Sequence, residues 1–580
     1  MYILGISCFY HDGAAALIKD GKIVAAAEQE RFSRKKHDFS FPKNAIEYCL
    51  REAGITINEV DHVGFYEKPL VKFDRILSQH LEMWPKSFLP FYLALPSWIN
   101  EKLRFRRVLK KNLKAKKDIL YIPHHLSHAA SCFLVSPFEK AAILTVDGVG
   151  EWQTTTFGVG DKNEIKLQKE INFPHSLGLL YSAITGYLGF KVNNDEYKVM
   201  GLAPYGSPIY MEKLKKLIDI KDDGSYQLNM DYFCYHYKMT MANKKFIAEF
   251  GAPRKPESEV TQYHKDLAAS LQKLLEEILI KILNHIYSVT GQKNLCIAGG
   301  VGLNSVANGK ILKNTPFENI YIQPAAGDAG GAIGTAFYIY NSWLKMPRAQ
   351  VQTSAFLGPE FSDEEIQKYL DEKEIVYEEY NDESELNKKV VQLIFDNKVI
   401  GWFQGRMEWG PRALGARSIL SNPCNPDMKE ILNLKVKHRE QFRPFAPVVC
   451  ADDAPAYFEC DTPIPLPSDF MLMVYPIVEA TREKIPAVTH VDGSGRLQTI
   501  RRDQNPRYYD LIKEFGKLSG TPILINTSFN IRGEPIVCTP HDAYRCMMGT
   551  GIDCLVAGKF LISRDDNPKD MWDSEKMAKD

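Results

Sequence analysis

Residues 2–28 read YILGISCFYHDGAAALIKDGKIVAAAE. The segment holds three strand-length apolar runs, Tyr2 to Ser7, Ala14 to Lys19 and Lys22 to Glu28. Asp20-Gly21 joins the last two, and an Asp-Gly pair between apolar runs marks a tight hairpin, because both turn positions favour φ > 0. Asp12-Gly13 lies at the first turn. The pattern returns further along, with Ala141 to Thr145 and Thr155 to Val159 as strands and Asp147-Gly148 between them. Two strand starts, each followed by Asp-Gly, predict a duplicated unit.

Between the two copies, residues 124–128 are His-His-Leu-Ser-His, directly after the strand-like run Ile119 to Pro123. On a helix beginning after Pro123, His124 and His128 project from one face, where two imidazoles can grip one metal ion, and His125 points elsewhere. A polar helix start has the same pattern, so spacing alone leaves both readings open. A glycine-rich element follows, Leu295 to Asn304, in which a buried-looking strand enters a helix through Gly299, Gly300 and Gly302; Gly327-Asp328-Ala329-Gly330-Gly331 succeeds it. Such turns let backbone N–H groups approach phosphate oxygens. Glycine serves plain tight turns equally well.

Composition excludes several classes. A chain of 580 residues is too long for one core. With 72 basic and 72 acidic side chains, no global field draws it to nucleic acid or a membrane surface. No run of 18 apolar residues occurs, so no spanning helix is expected. The opening residues lack the order of a signal peptide, and the eleven cysteines are scattered without CxxC spacing, so a reducing, cytoplasmic location is expected.

Nine of the sixteen residues 102–117 are Lys or Arg, interleaved with Leu103, Phe105, Val108, Leu109 and Leu113. This predicts a basic amphipathic helix, read as a solvated face with an apolar stripe. The stretch before it, 84–98, is rich in Phe, Pro and Tyr and reads as an irregular insertion. Composition shifts after Pro347: residues 360–385 carry twelve carboxylates, and Ser362-Asp363-Glu364-Glu365 is a capping-box start. A boundary near residue 352 follows, giving domains 1–352 and 353–580. In the second domain Arg406, Arg412 and Arg417 emerge after the strand Val399 to Phe403, followed by Lys437, Arg439, Arg443 and Arg496 and by Asn526-Thr527-Ser528-Phe529-Asn530. Guanidinium forks with hydroxyl and amide donors suit a phosphorylated small anion.

Taken together, His11-Asp12-Gly13-Ala14-Ala15-Ala16, Glu30 to His37, the His-rich segment, Glu196 to Pro204, Gly299 to Asn304, Gly410 to Ser418 and Asn526 to Asn530 resemble the NodU/CmcH family of O-carbamoyltransferases along nearly the whole chain. The resemblance implies an α/β fold: an N-terminal ASKHA (actin-like) module of two ribonuclease-H-like halves, then a C-terminal YrdC-like α/β domain. It implies a reaction in which ATP and carbamoyl phosphate form carbamoyl-adenylate, whose carbamoyl group passes to the hydroxyl of a small-molecule acceptor. In the YrdC-like domain it assigns carbamoyl phosphate to Arg412, Lys437, Arg443, Arg496, Ser528 and Asn530. In the N-terminal module it assigns a divalent metal, Fe²⁺, to His124, His128, Asp147 and Asp328. Nucleotide contacts fall on Lys36, Gly148, Gly299, Gly300, Asn304, Gly330 and Gly331, and Mg²⁺ can accompany ATP. His11 is the candidate to take the acceptor's proton, as a neutral imidazole titrating near the operating pH. Glu151, by its place after Asp147-Gly148, is a candidate acceptor contact.

No nucleic acid or membrane partner is expected, and a homodimer is compatible with the sequence. Two other readings compete. A tRNA threonylcarbamoyl-transfer enzyme would share the first module, but a tRNA partner usually leaves a broad basic face and this chain is neutral overall. An actin-type nucleotide-gated binding protein would have no need of an arginine pocket.

Overall fold

The computed structural model describes residues 1–97, 105–113 and 117–567. Contacts divide the chain into two compact units, Met1–Ala26 with Phe39–Gln352, and Ala27–Asp38 with Thr353–Asp580. The strand that ends the opening hairpin therefore runs out of the first unit, and the twelve residues after Ala26 count with the second.

In the first unit the opening segment forms β1 (Tyr2–Ser7), β2 (Ala14–Lys19) and β3 (Lys22–Glu28), followed by β4 (His62–Phe65) and β5 (Ile119–Tyr121). They make one sheet of order β3-β2-β1-β4-β5, with β1 antiparallel to β2, and with β1, β4 and β5 parallel in succession. The echo forms β6 (Lys140–Val146), β7 (Gln153–Asp161) and β8 (Glu164–Asn172). After the small hairpin β9 (Ile218–Ile220) and β10 (Tyr226–Leu228) come β11 (Asn294–Ala298) and β12 (Asn319–Ile322). Their sheet has the order β12-β11-β6-β7-β8, the same topology with the same strand directions. The expected duplicated, actin-like arrangement of two ribonuclease-H-like halves is thus what the strands form. Asp12-Gly13 and Asp147-Gly148 fall at equivalent turns, between the first and second strands of each half.

The halves interlock through two helices. The His124–Phe133 helix follows the last strand of the first sheet but packs on β6, β7, β8, β11 and β12; the Gly330–Phe337 helix follows the last strand of the second sheet but packs on β1, β2 and β4. The two helices also pack on each other. Small residues make this possible. A Cβ on Gly334 would lie 1.9 Å from the Ser127 carbonyl oxygen, and one on Gly5 would lie 1.9 Å from that of Ala332. Backbone meets backbone here, at a separation that no side chain could share.

The second unit holds β13 (Glu378–Glu379), β14 (Ile400–Phe403), β15 (Arg417–Ser421), β16 (Ala446–Cys450), β17 (Met473–Pro476), β18 (Ser494–Ile500), β19 (Ile523–Ser528), β20 (Cys554–Ala557) and β21 (Phe560–Ser563). These form one mixed sheet, β13-β21-β20-β14-β15-β19-β16-β18-β17. The helices Glu383–Phe395 and Pro506–Ser519 cover it. Leu386, Val390, Ile394, Leu511 and Phe515 meet Trp402, Leu420, Val448 and Leu524 in one fully buried core. Each such side chain contributes about 1.5–3 kcal/mol on burial, which outweighs the indifferent propensity of the acidic flank.

The capping box at Ser362 and Glu365 starts the Asp363–Glu372 helix, which buries Ile366 and Leu370 and leaves its carboxylates outside. Within the basic segment Phe105–Leu113 is helical and buries Phe105, Leu109 and Leu113, Lys117 lies in a bend, and residues 102–104 and 114–116 lie outside the described residues. The expected irregular insertion at 84–98 is instead a helix, Phe88–Ser97; residue 98 lies outside the described residues. Pro90 sits in the first turn, where its missing N–H has no intrahelical partner to lose, whereas Pro96 lies inside the helix and forgoes the hydrogen bond to residue 92. All eleven cysteines are free thiols. Among the described residues no helix is long and apolar enough to cross a membrane.

Candidate metal centre and anion pocket

The interlocked helices bring four donors together inside the first unit. His124 and His128 sit on the first turns of one helix, Asp147 follows β6, and Asp328 precedes the Gly330–Phe337 helix. The two Nε2 atoms are 3.0 Å apart. Asp147 Oδ2 lies 3.1 Å from His124 Nε2 and 3.8 Å from His128 Nε2, while Asp328 Oδ1 lies 3.7 Å from each. All four side chains are buried, and their donor atoms fall within 4.8 Å of one another. Ligands bound at about 2.1 Å to one ion, about 90–110° apart, stand roughly 3.0–3.4 Å from each other. The spacing therefore fits a cation. Two carboxylates and two imidazoles balance a divalent charge, and burying two carboxylates this close together needs such compensation.

Each donor is aimed by its neighbours. Gly300 N–H donates to Asp147 Oδ1 at 2.9 Å, the Tyr66 hydroxyl to Asp328 Oδ2 at 3.4 Å, and the Tyr66 ring lies 5.3 Å from that of His124. Burial disfavours the Asp147 carboxylate, but hydrogen bonds from His124 and His128 hold its pKa well below the usual range. Burial likewise opposes a charge on His128, yet Asp147 and Asp328 push it up to about 9. His125 does point elsewhere: its ring nitrogens meet Thr145 Oγ1 at 2.6 Å and the Gln153 carbonyl at 3.0 Å. Burial, then the charges of His124 and His128, push its pKa well down, so it stays neutral and structural.

Several expected roles change. Both Glu151 carboxylate oxygens accept from His124 N–H, at 3.0 and 2.9 Å, and Oε1 also accepts from Lys68 N–H at 2.7 Å. Glu151 caps the histidine helix, satisfying a first-turn N–H, and its oxygens are not turned to an acceptor. The Asn304 side-chain amide is spent in a two-way pair with Gln272, 3.0 Å each way, and on the N–H of Ala307, which leaves it little to offer a nucleotide. Gly330 and Gly331 have packing reasons, since a Cβ would lie 2.2 Å from the Ala325 carbonyl in one case and 2.9 Å from the Tyr66 ring in the other. Gly148 is tied down by Ser176 Oγ, which donates to its carbonyl at 2.7 Å. Gly299, at φ +96°, makes the turn that aims Gly300 N–H at Asp147. Lys36 lies in the 27–38 segment, which counts with the second unit.

His11 departs most from expectation. Its Nδ1 is 2.8 Å from Asp12 Oδ2 and its Nε2 is 2.8 Å from the Asn193 carbonyl oxygen. A carbonyl only accepts, so Nε2 carries a proton and cannot take another. Burial works against the charge, but the Asp12 carboxylate raises the pKa to about 10. This geometry sets up an imidazolium donor rather than the neutral base the sequence suggested.

The second unit gathers the cations. Lys437 is buried; its Nζ donates to the carbonyls of Ser528 and Asn530, the latter at 2.9 Å, and to Asn530 Oδ1 at 2.9 Å, with Ser528 Oγ 3.5 Å away. Burial and then Arg439 and Arg443 drive its pKa well below the ordinary lysine value. Arg496, on β18, is depressed by burial and by Arg412, Arg439 and Arg443. The six expected anion ligands therefore converge, with Arg439 beside them. Glu440 Oε2 stands 3.5 Å from Arg443 Nη1; crowding further cations into a low-dielectric site is unfavourable, and an anion bound there would offset that cost.

What braces that pocket was not foreseen. Glu408 Oε1 accepts the N–H groups of Leu414, Ala416 and Arg417 at 2.7–3.0 Å, closing the loop that carries Arg412. From the 27–38 segment, Glu28 Oε1 accepts Gly410 N–H at 2.8 Å, while Arg31 donates to the Gly410 carbonyl at 2.9 Å. Arg31 is itself buried against Glu28 and Glu30. The only sequence signal for this clamp was the charged run at 28–36, far from its target.

Residues 2–337 match the family described as Carbamoyltransferase N-terminus, and residues 391–564 the one described as Carbamoyltransferase C-terminus. The chain is 50% identical over 604 aligned residues to the uncharacterized protein sll1178 of Synechocystis sp., covering 98% of this chain and 97% of that protein. It is 39% identical to the nodulation protein NolNO of Sinorhizobium fredii, over 97% of this chain and 80% of that one. Among solved structures, component A of the (R)-2-hydroxyglutaryl-CoA dehydratase of Acidaminococcus fermentans is 15% identical with a TM-score of 0.34, covering 58% of this chain and 97% of that chain. HypF of T. kodakarensis is 13% identical with a TM-score of 0.31, covering 59% and 48%.

Proposed function

As this chain belongs to the carbamoyltransferase family, we propose that it is an ATP-dependent O-carbamoyltransferase that makes carbamoyl-adenylate and passes the carbamoyl group to the hydroxyl of a small-molecule acceptor. The observation that carries this reading is the presence of two unlike buried sites, a four-donor metal cluster in the first unit and a cation cluster in the second.

The reading divides the chemistry between them. In the second unit Arg412, Arg443, Arg496 and Lys437 hold the phosphate of carbamoyl phosphate, with Ser528 and Asn530 beside it, and offset the charge that develops as the C–O bond to phosphate breaks. Water adds to the carbonyl carbon as that bond breaks, so carbamate, phosphate and one proton are left; a carbamate oxygen then attacks the α-phosphorus of ATP, and pyrophosphate departs. The mixed anhydride hydrolyses readily, so the burial of both clusters protects it. In the first unit His124, His128, Asp147 and Asp328 would hold a divalent ion, Fe²⁺ on the family resemblance, which supplies Lewis-acid stabilisation of phosphate charge when bound. The acceptor hydroxyl oxygen attacks the carbamoyl carbon, the C–O bond to the adenylate phosphate breaks, and the hydroxyl proton leaves on the phosphate of the departing AMP. His11, held as an imidazolium by Asp12, trades the Asn193 carbonyl for the carbamoyl oxygen and donates to it as negative charge gathers there. Tyr66 and Gly300 keep the carboxylates oriented throughout.

The test is pyrophosphate release from ATP by the purified protein. Release that requires carbamoyl phosphate is expected. Formation of only ADP and phosphate would overturn the adenylate route and favour a nucleotide-gated switch.

A further inference from the structure

Water that adds to carbamoyl phosphate must give up a proton, and the pocket's cations cannot take it. The arginines stay charged, Lys437 Nζ uses its protons on three oxygens of Ser528 and Asn530, and Glu440 is paired with Arg443. An imidazole stands beside them. The turn leading into β18 closes with His490 N–H donating to the Ser494 carbonyl at 2.8 Å. Asp492 Oδ1 accepts from Ser494 N–H at 3.1 Å and from the Ser494 hydroxyl at 2.7 Å. A hydroxyl has one proton, so Ser494 Oγ, 3.1 Å from His490 Nδ1, can only accept from the ring. The neutral ring therefore carries its proton on Nδ1 and keeps a lone pair on Nε2. That Nε2 is buried, with no hydrogen-bond partner among the described residues. An acceptor stripped of water is unfavourable until a ligand brings it a donor.

Ser494, Arg496 and Gln498 alternate along β18 and so share a face. On that face Gln498 donates to the Leu414 carbonyl at 2.8 Å, close in sequence to Arg412, and accepts from Asn526, close to Ser528. The ring held by Ser494 is thus on the side of the sheet where the anion ligands gather. Burial, opposed by Asp492 and joined by the charges of Arg496 and Lys429, brings the His490 pKa down to about 4, which keeps the ring neutral at pH 7. The carbamoyl phosphate dianion offsets those cations, so the ring becomes more basic when the substrate is bound.

We propose that His490 is the general base of carbamoyl phosphate breakdown, its Nε2 taking a proton from the water that adds to the carbonyl carbon. As the new C–O bond forms, the C–O bond to phosphate breaks with its electron pair going to the phosphate oxygen. The imidazolium returns its proton to that oxygen, so hydrogen phosphate leaves and the ring ends neutral. Carbamic acid then loses its own proton to give carbamate. Ser494 is a positioning residue that fixes the tautomer. The inference rests on the carbamoyl phosphate reading above.

The test is phosphate release from carbamoyl phosphate by the full chain with ATP, above the spontaneous rate. Glutamine keeps an acceptor oxygen but cannot take a proton, so His490→Gln should lower kcat about 100-fold while KM for carbamoyl phosphate changes less than about threefold. Added imidazole should restore part of the rate to His490→Ala. Ser494→Ala, which keeps the ring but frees it to rotate, should lose about tenfold in kcat; it decides the matter if the His490 variants fail to fold, a wild-type rate then overturning the proposal. Wild-type turnover in His490→Gln overturns it, as does a KM that rises in step with the loss of rate. Wild-type protein that leaves carbamoyl phosphate intact overturns instead the reaction on which the proposal rests.

Discussion

Gly334→Ala should damage the metal centre although residue 334 supplies no donor to it. The added Cβ would fall 1.9 Å from the Ser127 carbonyl oxygen and 2.8 Å from Ser131 N, whereas ordinary contact begins at 3.4 Å. Backbone atoms cannot rotate aside, so the two helices must part by roughly 1.5 Å along that line. One helix carries His124 and His128, and the other begins just after Asp328. A coordination shell tolerates ligand displacements of only about 0.2 Å. Divalent-metal affinity, measured by titration into chelator-treated protein, should fall by about 100-fold or more, and overpacking should cost about 1–3 kcal/mol in chemical denaturation. Gly327→Ala is the control, since a Cβ there meets nothing within 4 Å although Asp328 is its neighbour in sequence. Wild-type affinity and stability in folded Gly334→Ala would refute the claim that the interlock positions the donors.

Other outcomes separate the two clusters. His128→Ala should lower carbamoyl transfer to a trial acceptor by about 100-fold while changing carbamoyl phosphate-dependent pyrophosphate release less than about threefold; an equal fall in both, in folded protein, would refute the division of labour. Arg443→Ala should abolish that release yet leave transfer from supplied carbamoyl-adenylate largely intact, as followed by product chromatography. Arg31→Met takes the guanidinium from buried Glu28 and part-buried Glu30 and should cost about 3–5 kcal/mol of second-unit stability, with weaker carbamoyl phosphate binding in calorimetry. His11 has a folded-state pKa of about 10 against an ordinary 6.5, so its stabilising contribution is complete below pH 6.5 and is lost as pH rises through 10. The melting temperature of the wild type should therefore fall more between pH 7 and 10 than that of His11→Gln, and parallel curves would argue against a charged His11.

Legibility differed by the range of the interactions involved. The three opening strands were readable to the residue because continuous apolar runs and an Asp-Gly turn are local signals, and the shared face of His124 and His128 follows from their spacing once a helix begins after Pro123. The helix at 88–97 reads as irregular in sequence because Pro90 and Pro96 look like breakers, and only Pro90, in the first turn, is placed where a proline costs nothing. Glu151, Asn304 and His11 were misjudged because nearness to a motif does not reveal what a side chain is already bonded to. Glu151 is consumed by an N–H 27 residues earlier, and His11 by a carbonyl 182 residues later. The Glu28–Arg31 clamp on Gly410 joins residues some 380 positions apart, and no periodicity carries that information.

By itself, then, the chain determined which strands form, that their pattern is repeated, and which residue types could hold a cation or an anion. These follow from hydrophobic periodicity, turn chemistry and donor inventory, all expressed within a few residues. Tertiary structure decided which of the donors meet. Each half sends its last helix onto the other half's sheet, and only that exchange sets two histidines of one helix opposite an aspartate at the head of the other. It also decided protonation, because whether His11 is a base or a charged donor depends on the acceptors that folding places at both of its ring nitrogens.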